Sequence, residues 1–446
     1  MDHSSGDRRL AGVEPADGPP SFVSHSRELE DVSFGAIVDT DAESRILWST
    51  PDGVEIVGRG VGARFSARGP DRFDQIRTRT QRTFDALEHT GPTIARPRAF
   101  GGFAFHEEHV PETLWNGFDA ASFVIPETLV VRSDEGTWLT TLGEDSARAQ
   151  ERLESWSQRL AELPSMKPTA ASPGIASTER PTSRADWATQ VETALERIDR
   201  GSLRKVVLAQ SLSVDLENPI DVPGTLERLR REYPNCYRFL GGYEGGGTFF
   251  GAPPERLVSK RGNQVETEAL AGSVQRGDSP EADRAFADRM AESEKVQHEH
   301  ELVVDAIRSQ LTPLTRTLAV EEQTIRRLAN IQHLQTPITG VLEDDRHVLD
   351  LVEALHPTPA VGGVPPGSAF ETIRDAETFD RGWYAAPIGW FDGAGDGEFA
   401  VGIRSGLARE DTVTLFAGNG IVADSDPTDE WEEVQLKFRP ILDELR

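Results

Sequence analysis

Phe249-Phe250-Gly251-Ala252-Pro253-Pro254-Glu255-Arg256-Leu257-Val258 places two short apolar runs on either side of a Pro-Pro turn. Proline fixes φ and brings no N–H to a ladder, so the pair ends one strand before the next begins. From about residue 200 to Arg446, glycine-punctuated runs of this kind recur at hairpin-like spacing, together with long helical stretches. The regular strand–helix–strand alternation of a doubly wound sheet is missing. The pattern predicts an α+β fold, with large antiparallel β-sheets in a layered core flanked by helices.

Upstream, residues 31–163 carry short β-branched runs such as Gly53-Val54-Glu55-Ile56-Val57 and Ser122-Phe123-Val124-Ile125. Helices are expected near 75–87 and 144–163, and the whole reads as an N-terminal β-rich half of the fold. Residues 1–30, rich in Asp, Gly, Pro and Ser, read as a disordered acidic tail. Residues 164–182, beginning Pro164-Ser165-Met166-Lys167-Pro168, have linker composition. Thr182-Ser183-Arg184-Ala185-Asp186-Trp187 then caps a helix running to about Asp199 and opens the C-terminal region, 183–446.

Among 446 residues, Lys plus Arg total 47 and Asp plus Glu total 75, a net charge of −28. That balance excludes binding of nucleic acid through its phosphates, and of an anionic membrane surface. Cys236 is the single cysteine, so neither an intrachain disulfide nor a cysteine-rich zinc site is available. No run of about 18 apolar residues exists, and the N-terminus lacks the basic-then-apolar order of a signal peptide. A cytoplasmic protein is expected. The lysines are Lys167, Lys205, Lys260, Lys295 and Lys437, and every other basic residue is arginine. Acidity with scarce lysine reads as adaptation to a salty (halophilic) cytoplasm, where charge is screened within about 3 Å at 1 M. A lysine kept in such a chain needs a reason.

Leu203-Arg204-Lys205-Val206-Val207-Leu208-Ala209 is an apolar strand in which alternation puts Lys205 on the face of Leu203, Val207 and Ala209. Desolvation there favours the neutral amine a general base requires; the competing reading is a lysine snorkelling at a strand edge. Glu255 opens a strand on the face of Leu257, where partial burial suits a general acid; a solvated turn glutamate is the alternative. The stretch 292–305 reads as one helix, with Lys295, Glu299, Leu302, Val303 and Ala306 on one face. His298 and His300, at i and i+2, point to different sides, so zinc is not expected. His106-Glu107-Glu108-His109 reads as surface. Phe416-Ala417-Gly418-Asn419-Gly420-Ile421-Val422 reads as a glycine turn leaving a strand, with bare N–H groups suited to a carboxylate. Asp426 caps a helix with Pro427 at its first position, and Glu430, Glu433 and Lys437 then share a face. Two carboxylates one turn apart suit magnesium, and equally an ion-pair ladder.

Together these segments resemble the chorismate-utilising enzymes: the isochorismate, salicylate, anthranilate and aminodeoxychorismate synthases. The matching blocks, in order, include Lys205 to Ala209, Gly251 to Glu255, Ala271-Gly272-Ser273, His298-Glu299-His300, Gln332-His333-Leu334, Leu355-His356-Pro357-Thr358-Pro359-Ala360, Arg381 to Trp390, Ile403-Arg404-Ser405, Ala417 to Val422 and Glu430-Trp431-Glu432-Glu433. They run from about Trp187 to Arg439; the N-terminal half matches mainly at Gly101-Gly102-Phe103-Ala104-Phe105. Ala386 and Asn419 stand where the family usually has glycine and alanine.

The resemblance implies the anthranilate synthase component I-like fold and a small-molecule substrate, chorismate, bound with magnesium. Glu299 and Glu433 match the metal ligands, with Glu430 close by. Gly272, Ser273, His333, Ala360, Tyr384, Arg404, Gly418 and Lys437 match substrate-binding positions, Arg404 and Gly418 gripping a carboxylate. Lys205 matches the base of the water-using members, and Glu255 the acid. The implied reaction is an isomerisation: water activated by Lys205 adds at C2 of chorismate, and Glu255 protonates the departing C4 hydroxyl, giving isochorismate for menaquinone or siderophore biosynthesis. No obligatory amidotransferase partner is expected. A salicylate synthase, which also eliminates pyruvate, and an ammonia-using synthase with a partner remain open alternatives.

Overall fold

The computed structural model describes residues 22–30, 32–38, 42–163, 171–243 and 245–446. Among them the strands form two sheets, one of 13 strands and one of 10. Pairing is antiparallel except where Phe22–Leu29 runs parallel to Leu87–Thr90. Helices expected near 75–87 and 144–163 lie at Arg72–Asp85 and Ser146–Glu162. Ser183 and Asp186 close a capping box on helix Arg184–Asp199. Helix Pro427–Leu445 starts on the Asp426 side chain, which accepts from the N–H groups of Thr428 and Asp429. No described helix is long and apolar enough to cross a membrane.

The opening segment is not a hairpin. Strand Gly247–Gly251 belongs to the larger sheet, and strand Arg256–Arg261 to the smaller one. The Pro253-Pro254 turn therefore carries the chain from one sheet to the other. A second crossing runs beside it. Gly397–Val401 lies in the smaller sheet and Ser405–Arg409 in the larger, joined through Gly402-Ile403-Arg404. Backbone bonds tie the crossings together, Ala252 N–H to Arg404 O at 3.0 Å and Val401 N–H to Glu255 O at 3.3 Å.

Three expectations on organisation are revised. Residues 22–29, placed in the tail, form a strand, because the alternation of Phe22–Leu29 pairs along Gly136–Gly143. Within the expected linker, Ile175–Glu179 pairs along the edge of Lys205–Leu216, while 1–21 and 164–170 lie outside the described residues. The stretch 292–305 is broken at Ser293, which closes helix Pro280–Glu292 and caps helix Glu294–Leu311. Both sheets draw strands from both halves of the chain: Ser44–Ser49 pairs with Arg238–Tyr243, and Arg98–Phe103 with Pro387–Asp392. One apolar core accordingly takes in Trp48, Phe123, Phe249 and Phe399.

Candidate active site

The two crossings, the strand Lys205–Leu216 and the helices Glu294–Leu311 and Pro427–Leu445 surround one cleft. Its lining includes Glu255, Gly272, Ser273, Glu299, His333, Ala360, Tyr384, Arg404, Gly418 and Lys437. Of the residues read from the sequence, Lys205, Glu430 and Glu433 stand behind this lining rather than on it.

Glu255, at the first crossing, is 3% exposed. Burial, with the Glu268 charge, pushes its carboxyl up to about 8, against the opposing pull of Lys205 and Arg326. Glu255 is thus largely protonated at neutral pH. The Glu268 carboxylate also takes the N–H of Arg256 at 3.0 Å, which pins the peptide after Glu255. Arg326 in turn grips both Glu268 oxygens. The alternative of a solvated turn glutamate is removed: this carboxyl is buried.

Lys205 is 1% exposed, and its surroundings are not only apolar. Its Nζ lies 2.9 Å from Glu299 Oε1, so the structure holds it in an ion pair. Gly420 makes room for that pair, since a Cβ there would lie 2.5 Å from Glu299 Oε1 and 3.0 Å from Lys205 Cε. Residues 416–421, read as a glycine turn, are the end of strand Thr412–Ile421, paired along Lys205–Leu216. Opposite Gly418, Ala209 gives its N–H to Glu377 instead of to the neighbouring strand. Gly418 and Ala209 are therefore a non-hydrogen-bonded pair, which turns the Gly418 N–H and C=O to the other edge. Lys437 takes that C=O at 3.0 Å, and strand Ser405–Arg409 stops at the Ser405–Phe416 pair. The N–H is left on an open edge, available to an anion.

A β-bulge between Ala271 and Ser273 turns the backbone at Gly272, φ +68°, where a Cβ would strike Val296 at 2.4 Å. The bulge sets Ser273 opposite His333, whose Nδ1 lies 3.1 Å from Gly272 O. Burial, then the charges of Arg404 and Lys437, push His333 down to about 3, so the ring is neutral. Nδ1–H donates to Gly272, and Nε2, a lone-pair acceptor, has no protein partner. Arg404 is buried with φ +49°, left-handed backbone that a non-glycine residue adopts at a cost. Its guanidinium makes one long bond, 3.4 Å to Lys437 O, leaving donors for a carboxylate.

The three glutamates each face a lysine: Glu299 with Lys205 at 2.9 Å, Glu433 with Lys437 at 2.9 Å, and Glu430 with Lys295 at 2.8 Å. All four described lysines are in ion pairs, the fourth being Lys260 with Asp396. The ladder reading of the last helix is therefore present between Glu433 and Lys437. Burial acts to raise the Glu433 carboxyl, but Lys437, Asn419 and Ser273 hold it below the usual range. Glu430 is pushed up by burial and by Glu433. Among the described residues no three acidic, thiol or imidazole side chains converge as a ready metal cage. Magnesium does not need one, because it keeps several waters and uses one or two carboxylates. Glu299 and Glu433, an all-oxygen pair of carboxylates, are the residues that could hold that ion in exchange for their lysine partners.

His300 is fully buried and meets Thr336 Oγ1 at 2.8 Å, whereas His298 is exposed. His109, read as surface, is buried: its Nδ1 meets Asp380 at 2.6 Å and its Nε2 the carbonyl of Phe118 at 2.9 Å. The sequence reading assigned nothing to Glu268, Arg326 or the strained Ala385, φ +59°. Two signals pointed toward Lys295: the scarcity of lysine and its place on one helix face with Glu299.

The chain is 35% identical over 450 residues to isochorismate synthase MenF of Bacillus subtilis, covering 95% of this chain and 93% of that protein. It is 34% identical to the salicylate biosynthesis isochorismate synthase of Pseudomonas aeruginosa, over 98% of this chain and 93% of that one. Among solved structures, the menaquinone-specific isochorismate synthase MenF of Escherichia coli superposes with a TM-score of 0.81 at 26% identity, over 97% of both chains. Anthranilate synthase component I of Streptococcus pneumoniae, at 22% identity and a TM-score of 0.69, has the same fold. With residues 14–446 matching the model of the chorismate binding enzymes, this chain belongs to that family.

Proposed function

We propose that the protein is a magnesium-dependent isochorismate synthase. The observation that carries this reading is Glu255, a buried carboxyl that keeps its proton at neutral pH on the wall of a cleft also lined by Arg404 and Lys437. Full-length similarity to two isochorismate synthases supports chorismate as substrate.

Arg404 and the Gly418 N–H suit a substrate carboxylate; the Lys437 ammonium, its three N–H groups held by Glu433, Asn419 and Gly418, adds positive charge nearby for a dianion despite the acidic exterior. Lys205 must first give up the proton it shares with Glu299; as the neutral amine it then accepts a proton from the water that attacks C2. The ring double bonds shift, and Glu255 gives its proton to the C4 oxygen, which departs as water. One proton is taken and one is given, so Lys205 and Glu255 reset by exchange with solvent. Magnesium, when held by Glu299 and Glu433, supplies charge stabilisation at the substrate carboxylate. The product is the entry compound of menaquinone and siderophore routes.

The test is to incubate the purified chain with chorismate and magnesium in molar salt and identify the products. Isochorismate alone supports the reading. Salicylate with pyruvate would make it a salicylate synthase. A product formed only with ammonia or glutamine would overturn water as the nucleophile.

A further inference from the structure

Helices Glu294–Leu311 and Pro427–Leu445 present two matching rows of charge. On the first, Lys295 stands one turn before Glu299; on the second, Glu430 stands one turn before Glu433. The outer rung is closed, with Lys295 Nζ 2.8 Å from Glu430 Oε1. The other Glu430 oxygen accepts from the Asn419 amide. Asn419 also takes the Lys437 ammonium on its carbonyl at 2.6 Å, which fixes the direction of its amide. Glu430 is 2% exposed and has both oxygens taken. The inner rung, Glu299 and Glu433, is the pair that fits magnesium.

We infer that Lys295 is a tethered counter-cation: it neutralises Glu430, keeps that carboxylate out of the metal shell, and holds the site to one divalent ion on Glu299 and Glu433. The inference rests on the metal reading of the proposed function and deepens it. It also supplies the reason for a third lysine at this site in a lysine-poor chain. Without the ammonium, Glu430 would be a buried, uncompensated carboxylate next to Glu433, which must take up either a proton or a second cation.

The measurement is manganese(II) binding to the full chain, read from the spin-resonance signal of free ion in a titration without turnover. The wild-type chain should bind one ion. K295M should bind it about tenfold more tightly or take up a second ion, because a cation beside the site has been removed. K295R, which keeps the charge, should match wild type. K295M/E430Q removes both charges together and should return to one ion at near wild-type affinity. This double variant also keeps the test decisive if K295M alone does not fold. Unchanged affinity and stoichiometry in K295M would overturn the inference. So would loss of about tenfold or more in the double variant, because Glu430 would then be a ligand. If the wild-type chain binds no manganese even with chorismate present, the metal reading itself falls, and this inference with it.

Discussion

Lys205 Nζ lies 2.9 Å from Glu299 Oε1, so the proposed base and one proposed metal ligand are the two halves of a buried ion pair. A change at either residue acts on both roles. Lys205→Met should lower turnover by roughly 10²–10⁴, the usual worth of a general base. It should not raise the magnesium requirement, because Glu299 is then free of its lysine. Steady-state kinetics across magnesium concentrations separate the two effects. Near-normal turnover would remove Lys205 from the chemistry.

Glu255 must be protonated to act as the acid, and its carboxyl is pushed up to about 8. Turnover should therefore hold below that pH and fall as pH rises through it. The linkage has the same direction. Relative to the unfolded chain, the folded state binds this proton more tightly, so stability from this group declines between the ordinary glutamate range and about pH 8. Glu255→Gln should retain chorismate binding, lose turnover, and remove that part of the pH dependence of the thermal midpoint. Loss of binding would make Glu255 a gripping residue instead.

Chelation should abolish activity and magnesium should restore it. Glu299→Ala and Glu433→Ala should each raise the magnesium requirement or abolish turnover, since the affinity rests on very few carboxylates. Full activity in chelator without added metal would contradict both assignments.

Gly420 offers a purely steric test. A Cβ there would stand 2.5 Å from Glu299 Oε1 and 3.0 Å from Lys205 Cε. Gly420→Ala should push the pair apart and cut turnover about tenfold or more, with a stability change of about 1–3 kcal/mol from overpacking. A variant with wild-type kinetics would mean that the geometry of the pair is not what limits the reaction.

Surface charge leads to the fifth expectation. With a net charge of −28 and every described lysine engaged in an ion pair, the acidity of the described exterior is relieved mainly by arginine. The screening length falls from about 30 Å at 0.01 M to about 3 Å at 1 M. The thermal midpoint should rise steeply with potassium chloride from about 0.01 M to 1 M and beyond, and sodium chloride should act alike. A flat or falling midpoint would detach the acidity from a salty interior.

Glycines, prolines and capping residues made much of the fold legible. Ser183, Asp426 and Pro427 start helices where their chemistry says they should. The Pro253-Pro254 turn was visible as a strand boundary, but not its destination, because local sequence does not say which sheet a strand joins. The same limit hid strand Phe22–Leu29, whose partner Gly136–Gly143 lies far along the chain. At the site, residue types announced Glu255 and the glutamates of the last helix, while Arg404 and the role of Glu299 came only through the family resemblance. The pairing of the glutamates with Lys205, Lys295 and Lys437 depends on two helices facing one strand end, and no periodicity encodes that. Ala385 and Arg404 take left-handed backbone although neither is glycine, which is invisible in residue type.

Both sheets are sewn from the two halves of the chain, and this sets the order in which the protein can be made. Ser49 pairs with Arg238, 189 positions later, and Lys205–Leu216 waits for Thr412–Ile421. A chain growing on the ribosome therefore exposes unpaired strand edges until almost its last helix has emerged. Pairings this distant make closure slow, and the waiting edges are templates for other chains. Refolding from denaturant should accordingly be slow and limited by protein concentration, and neither half expressed alone should yield a soluble domain.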